Sequence, residues 1–225
     1  MGFLTANYKK IIKELNASGV QLISVSKIRT AEEILQAYTE GLRDFGENYV
    51  QELVAKAEVL PKDIRWHFIG HLQSNKVKQV APFISLIHGV DSFKLLKEIN
   101  KEAKKNNRTI SCLLQIHLSA EESKFGLNAG ELKDMIEHPE LEDLKNIKIA
   151  GLMGMASLTH DAEIIKTEFR SLKMLFEEYQ SKSSGNLELT ILSMGMSGDY
   201  QLAIEEGTTM VRIGSLLFGE RKTKT

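Results

Sequence analysis

Eight short apolar runs recur along this chain, with stretches of helical spacing between them. The strand candidates are residues 21–26, 42–45, 66–69, 84–88, 110–118, 147–153, 188–193 and 210–213. Several of these runs are apolar on both faces. A strand with two apolar faces must be covered on both sides, which points to a parallel sheet wrapped by helices. Eight is also the number of strands that closes a (β/α)8 barrel, and 225 residues suits that fold as one unit. The competing architecture, an open doubly wound sheet, would be favoured by a glycine-rich turn after the first strand. "SKIRTAEE" has no glycine there, so the dinucleotide fingerprint is absent. The expectation is an α/β protein in which residues 1–225 form a single (β/α)8 barrel with an additional N-terminal helix within residues 1–19.

Local signals agree with that frame. Ile11, Ile12 and Leu15 carry the spacing of a short amphipathic helix. Thr30 with Glu33 and Asn128 with Glu131 read as capping boxes that open helices. The longest helical stretches are residues 92–106 and 161–180, and the charged tract "KEAKKNNR" suits the exposed end of the first of them.

Composition narrows the function classes. Hydrophobic residues make up 42% and charged residues 26%, with a formal net charge of −1. That balance offers no general attraction to nucleic acid or to an anionic membrane. No apolar stretch approaches the ~18 residues of a membrane span. The start of the chain lacks a secretory apolar region, and Ala6 stands where a myristoylation signal needs Ser or Thr. The single cysteine, Cys112, lies in an apolar run, suits a small core residue and permits no disulfide within the chain. A cytoplasmic protein is expected.

Barrel chemistry gathers at the C-terminal ends of the strands. Read in order, those ends carry Lys27; Glu47 and Asn48; His67, His71 and Asn75; His88 and Asp91; Gln115 and His117; "GLMGM"; "SMGMSGD"; and "VRIGS". The last two stretches are the most specific. Phosphorylated ligands of barrels sit between the loops after the seventh and eighth strands. Ser193, Gly195, Ser197 and Gly198 on one loop, with Gly214 and Ser215 on the next, supply hydroxyls and closely approachable backbone amides. In a closed barrel the first strand pairs with the eighth, so Lys27 faces this cradle. An amine beside a phosphate site can act as a point charge or condense with a carbonyl of the same ligand. His67 and His71 straddle a turn at Gly70, without a cysteine or HExxH partner, so no metal site is expected.

Over nearly the whole chain from about residue 20, "VSK", "FGENYVQE", "WHFIGHLQSNK", "SKFGL", "GLMGM", "LSMGMSGD" and "MVRIGSLLFG" resemble the pyridoxal phosphate homeostasis proteins. The resemblance implies a single (β/α)8 barrel of the alanine-racemase type that binds pyridoxal 5′-phosphate (PLP). It implies that Lys27 holds PLP as a lysine aldimine and that Asn48 lies beside the ring, while His67, beside Trp66, either lines the cofactor pocket or satisfies a core hydrogen bond. Ser193, Met194, Ser197, Gly214 and Ser215 would form the phosphate site, and Arg212 would face the pyridine nitrogen. Two departures stand out: Ser215 replaces the more usual Thr or Ala, and His117 replaces an asparagine. Lys124 in "SKFGL" is a candidate second lysine for PLP.

A guanidinium can only donate, so a ring nitrogen set against Arg212 stays unprotonated and the ring is a poor electron sink. Alanine racemase offsets this with two opposed acid/base groups, one a tyrosine from a second domain. Here Tyr49 and Tyr200 are the candidates for that role. The expected function is therefore a PLP carrier or buffer that maintains intracellular PLP and amino-acid homeostasis, with PLP-dependent apoenzymes as partners and a monomer as the working form. The alternatives are a PLP-dependent amino-acid racemase, a Schiff-base aldolase using Lys27 and Glu47, and an interaction scaffold.

Overall fold

The computed structural model describes residues 2–118 and 125–220. Its eight strands, all parallel, close into one barrel in chain order. They are β1 (Gln21–Val25), β2 (Asp44–Glu47), β3 (Arg65–Phe68), β4 (Ile84–Val90), β5 (Ile110–His117), β6 (Ile147–Met155), β7 (Leu187–Ser193) and β8 (Met210–Ile213). The seam is closed by β1 and β8, with Gln21 opposite Met210 and Ile23 opposite Arg212. Around the barrel run α1 (Thr5–Ala17), α2 (Ala31–Thr39), α3 (Val50–Val59), α4 (Val77–Val80), α5 (Phe93–Lys105), α6 (Ala129–Ile136), α7 (Ala162–Gln180), α8 (Tyr200–Glu205) and α9 (Ser215–Phe218). The (β/α)8 expectation holds, N-terminal helix included.

Helix starts follow the sequence signals. Thr30 and Asn128 each accept from the backbone N–H three residues on, while Glu33 and Glu131 reach back to the cap. Ser92 and Asp161 cap the longer helices α5 and α7 in the simpler one-way manner. On α1, Ile11 and Leu15 form the buried face. That helix is tied to α9 at the other end of the chain by Leu4 N–H donating to Leu217 O at 2.7 Å and by Phe3 against Phe218.

Apolar residues divide between two cores. The larger lies between the strands and the helices; the smaller fills the barrel interior with Ile23, Leu86, Leu113, Ala150, Met153 and Met210. The interior also carries polar side chains, and that mixture is what distinguishes this barrel from a purely apolar one. Strand β2 differs from the expected 42–45: it begins at Asp44 and continues through Gly46 and Glu47, which pair with His67 and Phe68 of β3. A buried glutamate at a strand end is concealed from hydropathy, because the lysine that neutralises it, Lys56, lies on the following helix at 2.7 Å. Strands β4 and β6 run two residues past their expected ends.

Candidate functional site

A cleft of about 280 Å³ opens at the C-terminal end of the barrel, across the β1–β8 seam. Six of the nine residues expected to bind the cofactor line it: Lys27, Asn48, Ser197, Arg212, Gly214 and Ser215. Lys27 lies two residues beyond the end of β1, after Ser26. The side of the cleft beyond the seam is built from the loops after β7 and β8.

The loop after β7 is stitched to β8 and to the turn that follows it. Met194 N–H donates to Met210 O at 3.2 Å, Arg212 N–H to Gly195 O at 3.0 Å, and Gly214 N–H to Ser197 Oγ at 3.2 Å. Gly195 has φ +94°, a left-handed conformation that suits glycine. A Cβ there would stand 2.6 Å from the Ala203 Cβ, so α8 packs against bare backbone. A Cβ on Gly214 would lie 3.2 Å from the Val25 Cβ, which makes the seam narrow at this level. Asp199 closes the loop by accepting from Met196 N–H, and burial raises its carboxyl despite that bond.

Arg212 spans the cleft floor. Its Nη1 donates to Ser193 O at 2.8 Å and Ser193 Oγ at 2.6 Å, and its Nη2 to Gly154 O at 2.9 Å. Burial pulls the guanidinium down to about 10, so it stays charged at neutral pH. Beside it, Asn48 Oδ1 is buried without a hydrogen-bond partner among the described residues. An orphaned acceptor at a cleft wall is costly unless a ligand or water donates to it.

Three sequence-selected residues do not line the cleft. Met194 packs in the outer core, because alternation along the strand turns it outward. Ser193 and His67 lie deeper, in a buried polar chain through the barrel. Ser193 Oγ is 3.3 Å from His88 Nδ1, His88 Nε2 is 3.1 Å from His67 Nδ1, and His67 Nε2 is 3.1 Å from Asp44 Oδ1. Arg65 closes the chain at the far end, gripping Asp44 with two bonds of 2.7 and 2.6 Å. Burial alone would raise the Asp44 carboxyl; hydrogen bonds from Arg65 and His67, with the Arg65 charge, outweigh it and hold it well below the usual carboxylate range. His88 is lowered well below an ordinary histidine, chiefly by burial, with the Arg212 guanidinium adding to it. His67 is thus a barrel-core residue held by hydrogen bonds rather than a cleft wall.

Arg29 is not among the residues selected from the sequence, yet it lines the cleft. It is fixed by its hydrogen bond to Gly219 O and by Glu33 at 3.5 Å. Its signal is present in "KIR", two residues beyond Lys27. Neither candidate tyrosine lines the cleft. Tyr200 is buried, hydrogen-bonded to Glu14 on α1 at 3.0 Å, and pushed up to about 12 by burial and that carboxylate. Tyr49 is exposed at the start of α3. His71 pairs with Asp91 at 3.3 Å and stacks on Phe125. No group of metal-ligating side chains occurs among the described residues. Lys124 lies outside the described residues.

The family described as "Alanine racemase, N-terminal domain" matches residues 2–222. The pyridoxal phosphate homeostasis protein of Aquifex aeolicus is 43% identical over 203 residues, covering 90% of this chain and 87% of the relative. The human protein of the same name is 40% identical over 219 residues, covering 93% and 79%. The chain belongs to the pyridoxal phosphate homeostasis protein family. Among solved structures similar to this family member is Synechococcus elongatus PipY with PLP bound, at 38% identity and a TM-score of 0.86, covering 95% of this chain and 99% of that one. An alanine racemase from Clostridium difficile shares the fold alone, at 16% identity and a TM-score of 0.74, and this chain covers 56% of it.

Proposed function

We propose that this protein holds PLP through Lys27 and acts as a carrier that buffers the cofactor for intracellular PLP and amino-acid homeostasis. The observation that supports this reading most is one cleft presenting an amine, a donor-only guanidinium and a serine–glycine cradle together. The residues fit the cofactor. Lys27 offers the amine that an aldehyde requires. Ser197 and Ser215 offer hydroxyls to a phosphate, and Gly198, where a Cβ would meet nothing within 4 Å, offers closely approachable backbone. Asn48, with its orphaned buried oxygen, offers an amide to a polar ring substituent.

Bound PLP would supply a reactive aldehyde conjugated to an electron-withdrawing ring. Arg212 restricts the chemistry open to the site, since a guanidinium donates hydrogen bonds but no proton to a ring nitrogen. Its three hydrogen bonds to Ser193 and Gly154 keep it from turning away. Tyr200, committed to Glu14, does not supply a second acid/base group on the cleft. This set retains a cofactor and supports turnover poorly. The carrier reading extends to delivery to PLP-dependent apoenzymes, by a monomer in the cytoplasm. Consistent with a non-membrane role, no described helix is long and apolar enough to cross a bilayer.

The test is to load the purified protein with PLP, reduce with borohydride and map the modified peptide, then assay racemisation of an amino-acid panel. Labelling at Lys27 is expected, with no turnover in the ordinary enzyme range of ~1–1000 per second. Turnover at such rates would establish the racemase reading instead. A colourless protein with a labelled sugar carbonyl would establish the aldolase one.

A further inference from the structure

Lys27 occupies the second position of a tight turn, closed by Arg29 N–H donating to Ser26 O at 3.0 Å. The third position, Ile28, has φ +63°. Among the described residues only Ile28 and Asn107 combine a side chain with positive φ, so Lys27 itself has negative φ. That combination is a type II turn, whose third position ordinarily requires glycine or asparagine. A β-branched residue is among the worst choices for it. Ile28 is also 61% exposed, so burial does not compensate the strain.

What holds the turn in this form is a buried charge cluster behind it. Glu52 Oε1, on α3, accepts from Ile28 N–H at 2.5 Å. Lys56, one turn further along the helix, donates to Glu52 Oε1 at 2.6 Å, to Glu47 Oε1 at 2.7 Å and to Ser26 O at 2.8 Å. Glu47 Oε1 accepts from Ser26 Oγ at 2.5 Å as well. Both neighbours of Lys27 are therefore gripped from the outside of the barrel, while Lys27 itself faces the cleft. Type I and type II turns differ by a flip of the central peptide, here the one joining Lys27 to Ile28. The flip would swing the Ile28 N–H away from Glu52. The carboxylate therefore selects the conformer that isoleucine by itself disfavours.

We propose that Glu52, backed by Lys56 and Glu47, is a positioning residue that sets the backbone of the Lys27 turn and so aims the amine for carbonyl capture. This rests on the PLP reading given above.

The experiment pairs Glu52→Ala with Ile28→Gly and follows PLP affinity by absorbance, folded stability by thermal melting, and the Ile28 amide by NMR hydrogen exchange in the PLP-free protein. Glu52→Ala is expected to weaken PLP about tenfold, the scale of one lost charge-assisted hydrogen bond. Glu52→Ala combined with Ile28→Gly is expected to recover affinity to within about threefold, because glycine adopts the turn without help. Melting temperature need not recover, since the broken Lys56 pair is not restored. In wild type the exposed Ile28 amide should be exchange-protected, and that protection should vanish in Glu52→Ala. Glu52→Gln, which keeps an acceptor and folds more safely, should retain both protection and affinity. The proposal is overturned if Glu52→Ala binds PLP as wild type does, if glycine at 28 does not restore binding, or if the Ile28 amide exchanges freely in wild type. A wild-type protein that binds no PLP but shows a protected Ile28 amide would sink the functional reading and leave the turn assignment standing.

Discussion

Arg212 Nη1 stands 2.6 Å from Ser193 Oγ, and that contact orders the protons of the buried chain behind it. A guanidinium only donates, so the Ser193 hydroxyl must accept there and place its own hydrogen on its other neighbour, His88 Nδ1. His88 then carries its proton on Nε2 and gives it to His67 Nδ1, and His67 donates from Nε2 to Asp44. In that order both rings are Nε2–H tautomers. Nitrogen-15 chemical shifts of the two rings test this directly. An Nδ1–H form of either ring would contradict the order, and so would a doubly protonated His67, which reverses two bonds and leaves the Ser193 hydrogen without an acceptor.

The same chain sets an acid response. The folded-state pKa of His88 is lowered by burial, while the unfolded imidazole titrates near about 6.5. At this ring the unfolded state therefore binds more protons below that pH, and the ring's contribution to stability falls as pH drops. The contribution is complete above about pH 6.5 and is lost with a limiting slope of about 1.4 kcal/mol per pH unit for this one ring. Asp44, also depressed, adds a further loss only below about pH 4. Urea midpoints at pH 7, 6 and 5 should decline in the wild type and decline less in His88→Gln. Parallel declines would argue against a neutral buried His88.

The cradle makes separable predictions. Ser197→Ala removes the acceptor for Gly214 N–H and should weaken PLP by about threefold to tenfold, with stability changing by about 1 kcal/mol or less. Gly195→Ala meets both a left-handed backbone and the Ala203 Cβ at 2.6 Å. It should cost about 2–4 kcal/mol, from combined backbone strain and overpacking. Equilibrium unfolding together with PLP titration distinguishes the two, since only the second substitution should move both readouts strongly.

Lys56→Met should destabilise the fold by about 3–5 kcal/mol at pH 7, because it leaves Glu47 ionised in a site where its side chain has no exposure. Glu47 is already raised by burial, with Lys56 opposing that rise. Without Lys56 the folded carboxyl binds a proton more readily than the unfolded one, so the variant should regain stability as pH falls from 7 toward 5. That is opposite in sign to the wild-type trend. A loss independent of pH would show that packing, and not charge, is what Lys56 contributes.

The eight strands are legible because each is an apolar run bounded by helical spacing, and the capped starts of α2 and α6 are spelled out by Thr30–Glu33 and Asn128–Glu131. Depth within the barrel is not. Ser193 and His67 read as strand-end residues like Asn48, yet their side chains enter the interior a layer below the cleft. No local signal separates the two depths, because they depend on how far each strand is staggered against its neighbours. Met194 follows from the two-residue alternation once the end of β7 is fixed at Ser193. The grip on Lys27 is out of reach for a different reason. Glu47 reads as a strand-end carboxylate and Glu52 and Lys56 carry no signal of their own, and only the folded turn reveals that all three converge on residues 26 and 28.

The seam between the first and last strands has a consequence for how the molecule is made. Lys27 and Gly214 come from opposite ends of the polypeptide and meet only when the ring of strands shuts. A ribosome-bound or clipped chain lacking β8 therefore has the amine but no anchor for an anionic tail. Any ligand that bridges the two acts as a clasp on the last joint to form, so saturating it should slow the opening of the barrel at that joint before any other.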